Sequence, residues 1–258
     1  MKLFRKIRFE LMEKNKKMNY LKYAIGEIAL VVIGILIALQ INNWNENKIK
    51  QTFEITILKN IQQDVLADKI DLELNLQYIK EVFRNEQLLL NFLLSENEQI
   101  PDSISYTNAL GADILALFHN ASFNNLQNND IGLINNNDLY KEITRFYDFY
   151  AFAITELENN HDYTNTYHEK FIYFKKHFKV VNNRTKIQLS DKDAWAQEFD
   201  RYNFAIKNVE TLKKDEGFKV VLAESTFITK SKISFYQQLF EKMEELNKSI
   251  DDELKLLE

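Results

Sequence analysis

His161 and His168 are the residues whose type and spacing first suggest chemistry. They share a helical row, with Asp162 and Glu169 beside them, and imidazoles with carboxylates make up common metal-ligand sets. Seven residues of helix place the two rings about 10 Å apart, whereas histidines four apart would share one ion. The spacing therefore predicts buried or interfacial histidines with hydrogen-bond partners, not a chelate. The same row carries Tyr147, Tyr150, Ile154, Leu157, Thr164, Phe171 and Phe178 at steps of three and four. Phe146, Tyr147, Phe149, Tyr150 and Phe152 form a dense aromatic run, and with only Arg145 interleaved it predicts core packing instead of a stacking platform for a ligand. The chain has no cysteine, which excludes a thiolate nucleophile, a disulfide and a cysteine-ligated metal. No nucleophile, base and orienting group can be assembled from the order of residues, and no glycine loop fit for phosphate is present. The expectation is a protein that is not an enzyme and needs no cofactor or metal.

The element that places everything else is the run from Tyr23 to Ile41. Between Ala24 and Ile41 only Glu27 and Gln40 are polar, and Ile28 to Leu39 is unbroken apolar or glycine. About 18 residues at roughly 1.5 Å each give about 27 Å, enough to cross a hydrocarbon core of about 30 Å. Eight basic residues against two acidic ones precede Tyr23, the bias that keeps a flank cytoplasmic. Trp44 follows as an interfacial anchor, with Tyr20 and Tyr23 in the same role on the other side. Glu27 lies one turn inside the cytoplasmic end, where it reaches the interface beside Lys22 or meets another membrane helix. Gly34 and Ala38 form a small pair four apart that permits close approach of a second helix. The domain plan is a basic cytoplasmic leader at 1–22, a transmembrane anchor at 23–44 and an exported helical domain at 45–258.

The stretch Tyr23-Ala-Ile-Gly-Glu-Ile28, followed by Leu30-Val-Val-Ile-Gly-Ile-Leu-Ile-Ala-Leu-Gln-Ile-Asn-Asn-Trp-Asn-Glu46, resembles the opening of an uncharacterised family of flavobacterial-type single-pass envelope proteins, a domain of unknown function. The resemblance is close over the first 50 residues or so and loose beyond. It implies a bacterial inner-membrane address and no activity, and the basic flank before Tyr23 adds the expectation that the C-terminal domain is periplasmic.

Charge and turn content narrow the rest. Of 33 basic and 38 acidic residues, the leader takes eight and two, so residues 23–258 carry 25 against 36. An acidic exported part does not suit nucleic acid, and the basic leader suits anionic lipid. Five glycines and one proline leave few turns, which favours long helices.

Residues 46–95 contain neither glycine nor proline, and Leu58, Val65, Leu72 and Ile79 recur at sevens. Ile61, Leu76, Val82, Phe83, Leu89 and Leu90 widen the stripe, while Asp68 and Asn75 interrupt a second row. This predicts one long helix, continuous with the anchor. Pro101 marks a loop, a short helix is expected over 106–118, and the eight asparagines of 120–137 predict irregular chain pinned by Phe123, Leu126, Ile131, Leu133 and Ile134. Asp138 is expected to cap a helix running to Lys179. After a connector at 180–189, with room for a short strand, Ser190 and Asp193 read as a capping box. It opens a helix to Lys214 that buries Trp195, Phe199, Tyr202 and Ile206, with Gly217 as the stop. The last helix presents Ile233, Tyr236, Phe240, Met243, Asn247, Ile250, Leu254 and Leu257 at alternating threes and fours, a seam with Asn247 as its polar member. Its expected cover is the 58–79 stripe of the same chain, running antiparallel, with the same segment of another subunit as the alternative.

The fold class read from these patterns is all-α, one transmembrane helix followed by an elongated helical bundle with coiled-coil-like helices. The expected partners are the lipid bilayer and a membrane or envelope protein, or a second copy of the chain, and no nucleic acid. The role read from this is a scaffold or interaction protein, with a periplasmic sensory or ligand-binding module as the alternative.

Overall fold

The computed structural model describes residues 17–96, 99–111, 115–128, 132–159, 161–188 and 198–258. The described chain is mostly α-helical with one β-hairpin. It begins with α1 (Lys17–Leu94), a helix of 78 residues. Then come α2 (Tyr106–Leu110), α3 (Ala121–Asn128), α4 (Asn137–Arg145), a π-helical turn (Phe146–Ala151), α5 (Phe152–Asn159) and α6 (His161–His177). Strands β1 (Phe178–Gln188) and β2 (Glu198–Ile206) pair antiparallel, and α7 (Val209–Lys213) leads into α8 (Glu216–Leu257).

Two compact units divide the chain, Met1–Glu54 and Ile55–Glu258. In the first, the apolar α1 side chains from Ile25 to Ile41 are exposed along the whole run. Its 18-residue apolar window is long enough and apolar enough to cross a membrane.

The second unit is built on the antiparallel pairing of α1 with α8. Lys59 Nζ meets Glu258 Oε1 at 2.7 Å, Gln62 Nε2 donates to Asp251 Oδ1 at 2.7 Å, and Lys69 Nζ meets Glu244 Oε1 at 2.8 Å, so position falls along α8 as it rises along α1. Such exposed pairs stabilise little, and the apolar faces between them do the holding. Leu58, Ile61, Val65 and Leu72 of α1 are buried with Tyr236, Met243, Leu246 and Ile250 of α8, covered by Phe123, Leu126, Ile143 and Phe146. A second cluster gathers Leu89, Phe92 and Leu93 with Phe174, Phe178, Phe218 and Leu222. There Phe174 stacks on Phe178 at 4.3 Å and meets Phe218 edge-on at 5.8 Å. Asp215 caps α8 through the Phe218 amide at 3.2 Å and also takes Lys176 and His177. Against the cost of burial, these hydrogen bonds hold the Asp215 carboxyl down to about 2.

Several local expectations are corrected. The helix expected over 190–214 is a strand over 198–206 and a short helix, α7, only at its end: Tyr202, Phe204 and Ile206 alternate, and Phe204 and Ile206 face Val180 and Phe178 of β1. Tyr202 and Ile206, four apart, satisfied the helical period equally well. Ser190, Asp193 and Trp195 lie outside the described residues. Two extra residues, Asn182 and Asn183, bulge from β1 between Val181 and Arg184, and Asn203 Nδ2 donates to Asn183 Oδ1. Part of the asparagine-rich stretch is helical, since α3 puts Phe123 and Leu126 on one buried face. The helix expected to reach Phe118 ends at Leu110, where Gly111 takes a φ of +74°. The cap of α4 is Asn136, whose side chain accepts from the amides of Asp138 and Leu139, and Asp138 sits in the first turn. Gly217 is not a stop but lies in the first turn of α8, where a side chain would collide with the Tyr173 hydroxyl.

The π-helical turn corrects the histidine row. Past that turn the buried residues are Ala151, Ile154 and Glu158, and on α6 Lys170, Phe174 and His177. His168 is exposed, as are Phe149 at 58 % and Phe152 at 57 %, and the His161 side chain lies outside the described residues. Met243→Ala should cost about 2–5 kcal/mol in urea unfolding, whereas Phe227→Ala, at an exposed position on the same helix, should stay within about 0.5 kcal/mol.

Candidate functional site

Between the two apolar clusters the interior is polar. Along α1 the first cluster ends at Ile79 and the second begins at Leu89, and along α8 the order is reversed, from Leu222 to Tyr236. Into that gap α1 projects Glu86, α5 Glu158, α6 Lys170, and α8 Ser225, Thr229 and Lys232, all buried. Lys170 Nζ and Ser225 Oγ both reach Glu86 Oε1 at 2.6 Å. Lys232 Nζ lies 2.6 Å from Glu158 Oε1, and the Tyr236 hydroxyl donates to the same oxygen at 2.8 Å. The Ala116 amide donates to Glu158 Oε2. Four helices thus contribute to two buried ion pairs, each reinforced by a hydroxyl.

A small cleft opens onto this layer between α1, α6 and α8. Tyr78 and Val82 line one wall, Thr166, Tyr167 and Lys170 the second, and Ser225, Thr229 and Lys232 the third, with Gly111 at one edge. Arg201 of β2 donates from Nη1 to the Gly111 carbonyl at 2.6 Å, bringing a third cation beside the cleft. Burial pushes the Tyr78 phenol up to about 12, against the pull of the Arg201 charge.

A second polar site fastens residues 115–120 to α1. Asp68, fully buried, accepts from the His119 amide at 2.9 Å and pairs with His119 Nδ1 at 2.6 Å through the same oxygen. Burial pushes the Asp68 carboxyl up to about 6, with its hydrogen bonds to His119 pulling the other way. The hydrogen bond to Asp68 in turn pushes His119 up, helped by the charges of Asp68, Asp64 and Asp71. Asp64 takes the Ser122 amide, and burial pushes up the nearby Tyr147 phenol. Among the described residues no three His, Asp or Glu side chains gather as a metal-binding group.

The residues singled out from the sequence fall in both units. In the first, Glu27 is partly covered, Gly34 and Ala38 are exposed within the apolar run, and Trp44 is 64 % exposed with Lys48 Nζ 5.5 Å from its ring. In the second, Tyr236, Met243, Ile250 and Leu254 are buried, while Ile233, Phe240 and Leu257 are half-buried against the same cluster. Leu239 and Leu246, absent from the predicted seam, are buried too, and the Asn247 side-chain oxygen is buried without a hydrogen bond among the described residues. The ion-paired layer was missed, although its signal was present. Glu86 continues the α1 stripe between Val82 and Leu89, and a charge in an apolar row needs a partner. Asp68, noticed only as an interruption, is the carboxylate that holds His119.

Residues 27–205 match a family of unknown function, DUF6090. The chain belongs to that family. No curated protein and no solved structure matches it. The DUF6090 match runs from the apolar part of α1 to β2 and so includes Glu86, Glu158, Lys170 and Arg201, while Ser225 and Lys232 follow it on α8.

Two outcomes test the polar sites of this DUF6090 member. Lys232→Met should destabilise by about 3–5 kcal/mol in chemical unfolding, because Glu158 is left charged in the interior, and adding Glu158→Gln should recover much of the loss. The Asp68 and His119 pKa values are both raised in the folded chain, so the folded pair binds protons more tightly than the unfolded one. The stability it contributes is lost as pH rises and gained as pH falls from about 8 towards 5.5. The melting temperature should rise over that interval, and Asp68→Asn should flatten the rise.

Proposed function

We propose that this chain is a membrane-anchored interaction protein of the bacterial envelope, a scaffold that assembles with other membrane proteins or with a second copy of itself. The observation that carries the reading is the fully exposed apolar run of α1 on the same chain as a domain whose core is already filled. A run of that kind is stable only in lipid or against another helix. The basic leader favours a single pass through the inner membrane with the N-terminus cytoplasmic and the domain periplasmic.

Partner contacts then fall to two places. One is the anchor face with Gly34 and Ala38, beside Glu27. The other is the exposed pair Phe149 and Phe152, one turn apart on the helix that follows α4. The seam from Ile233 to Leu254 shares one buried cluster with α1 of the same chain, which favours these two places over the seam as partner contacts. The reading assigns no reaction, no cofactor and no nucleic-acid contact. A ligand-binding role is the second reading, and the polar cleft between α1, α6 and α8 is what favours it.

Reporter fusions and cross-linking in native membranes test the first reading. A reporter at residue 10 should be active only in the cytoplasm and one at residue 258 only outside it. A photo-reactive residue replacing Phe152 should give a reproducible cross-link to a membrane protein or to a second copy. A cytoplasmic C-terminus, or no cross-link from either Phe152 or Ala38, sinks the assembly reading.

A further inference from the structure

We propose that the cleft in the polar layer binds a small carboxylate ion, an alkyl or hydroxyalkyl acid of roughly two to four carbons. The inference is independent of the assembly reading.

Charge comes first. Lys170 and Lys232 line the cleft, and Arg201 stands beside it on the Gly111 carbonyl. Glu86 and Glu158, which pair with the two lysines, also lie outside the lining, so among the described residues Arg201 is the one cation of the three without a carboxylate of its own. Arg201 has no carboxylate within ion-pair distance among the described residues and spends one nitrogen on the Gly111 carbonyl. A monoanion completes the balance. In a partly desolvated site, such an imbalance attracts an anion far more strongly than it would at the surface.

Hydrogen bonding agrees. The Tyr78 hydroxyl is buried at the cleft and has no acceptor for its proton among the described residues. A buried donor without an acceptor is costly. Lys170 uses one of its three protons on Glu86, which leaves two to give. Two carboxylate oxygens, each able to accept twice, suit a phenol and an ammonium on adjoining helices.

The apolar part of the lining chooses among anions. Ile79, Val82 and Ile228 form a hydrocarbon wall beside the donors. A short alkyl chain would bury against it, whereas phosphate or sulfate would have to leave water there for no return. Gly111 keeps that side open, since a side chain at this position would come 3.3 Å from Val82 Cγ1 and 3.6 Å from Lys170 Nζ.

The test uses the full chain in mild detergent. Calorimetry and thermal unfolding are run with acetate, propanoate, butanoate and lactate, and with phosphate and glucose for comparison. At least one carboxylate should bind saturably and raise the melting temperature, as any ligand of the folded state must. Phosphate and glucose should do neither. Tyr78→Phe, which removes one oxygen and leaves the packing intact, should weaken that carboxylate at least about tenfold while the ligand-free melting temperature does not fall. Arg201→Gln should weaken it likewise. The proposal is overturned if no carboxylate binds, if phosphate or glucose binds as well, or if both variants bind as tightly as the parent.

Discussion

A charge cannot be left alone in the interior of this domain, and that constraint decides how its helices line up. Glu86 and Glu158 are immersed between two apolar clusters, and each is tolerable only while a lysine from another helix lies within 2.6 Å. Apolar faces alone would let α8 slide along α1 by a turn at modest cost, because leucine, isoleucine and methionine substitute for one another. Sliding by a turn would part Lys232 from Glu158 and Ser225 from Glu86. The ion-paired layer therefore selects one register from several that hydrophobic packing would accept, and the cleft, the hairpin and residues 115–120 are positioned by that choice.

Long-range order was legible in the sequence where periodicity was long and uninterrupted. The α1 stripe and the Tyr236 to Leu254 seam span many turns, so chance matches average out and both elements and their pairing emerge. Legibility failed where one residue changes the phase. Beyond the π-helical turn at Phe146–Ala151, extrapolating the row put His168 and Phe171 inside, while the chain puts Lys170 and Phe174 there. It failed again at β2, where nine residues are too few to separate a period of 3.6 from one of 2 when Tyr202 and Ile206 fit both. Ion pairs such as Lys170 with Glu86 join residues 84 apart in sequence, and no local pattern points from one to the other.

The two candidate sites differ in kind. The Asp68–His119 pair is a fastener: its carboxylate is fully buried, its imidazole reaches solvent, and what it holds is backbone. The cleft is bounded by side chains from three helices, which bring donors and hydrocarbon together in one lining. The DUF6090 match takes in the apolar run of α1, the Asp68–His119 pair and the part of the cleft that precedes α8.

The closure of α8 on α1 also governs how the domain can be made. Lys59 and Glu258 meet across 199 positions, and the intervening chain must be synthesised before they can. Closing a loop of that length costs about 2 kcal/mol more than closing one of 20 residues, a small increment, so the delay is kinetic. Until α8 emerges, the α1 stripe from Leu58 to Leu76 lacks its principal cover, and its apolar side chains are open to other nascent chains. During synthesis this helix therefore depends on the pace at which the chain is completed and on whatever shields nascent chains, more than on the stability it will finally have.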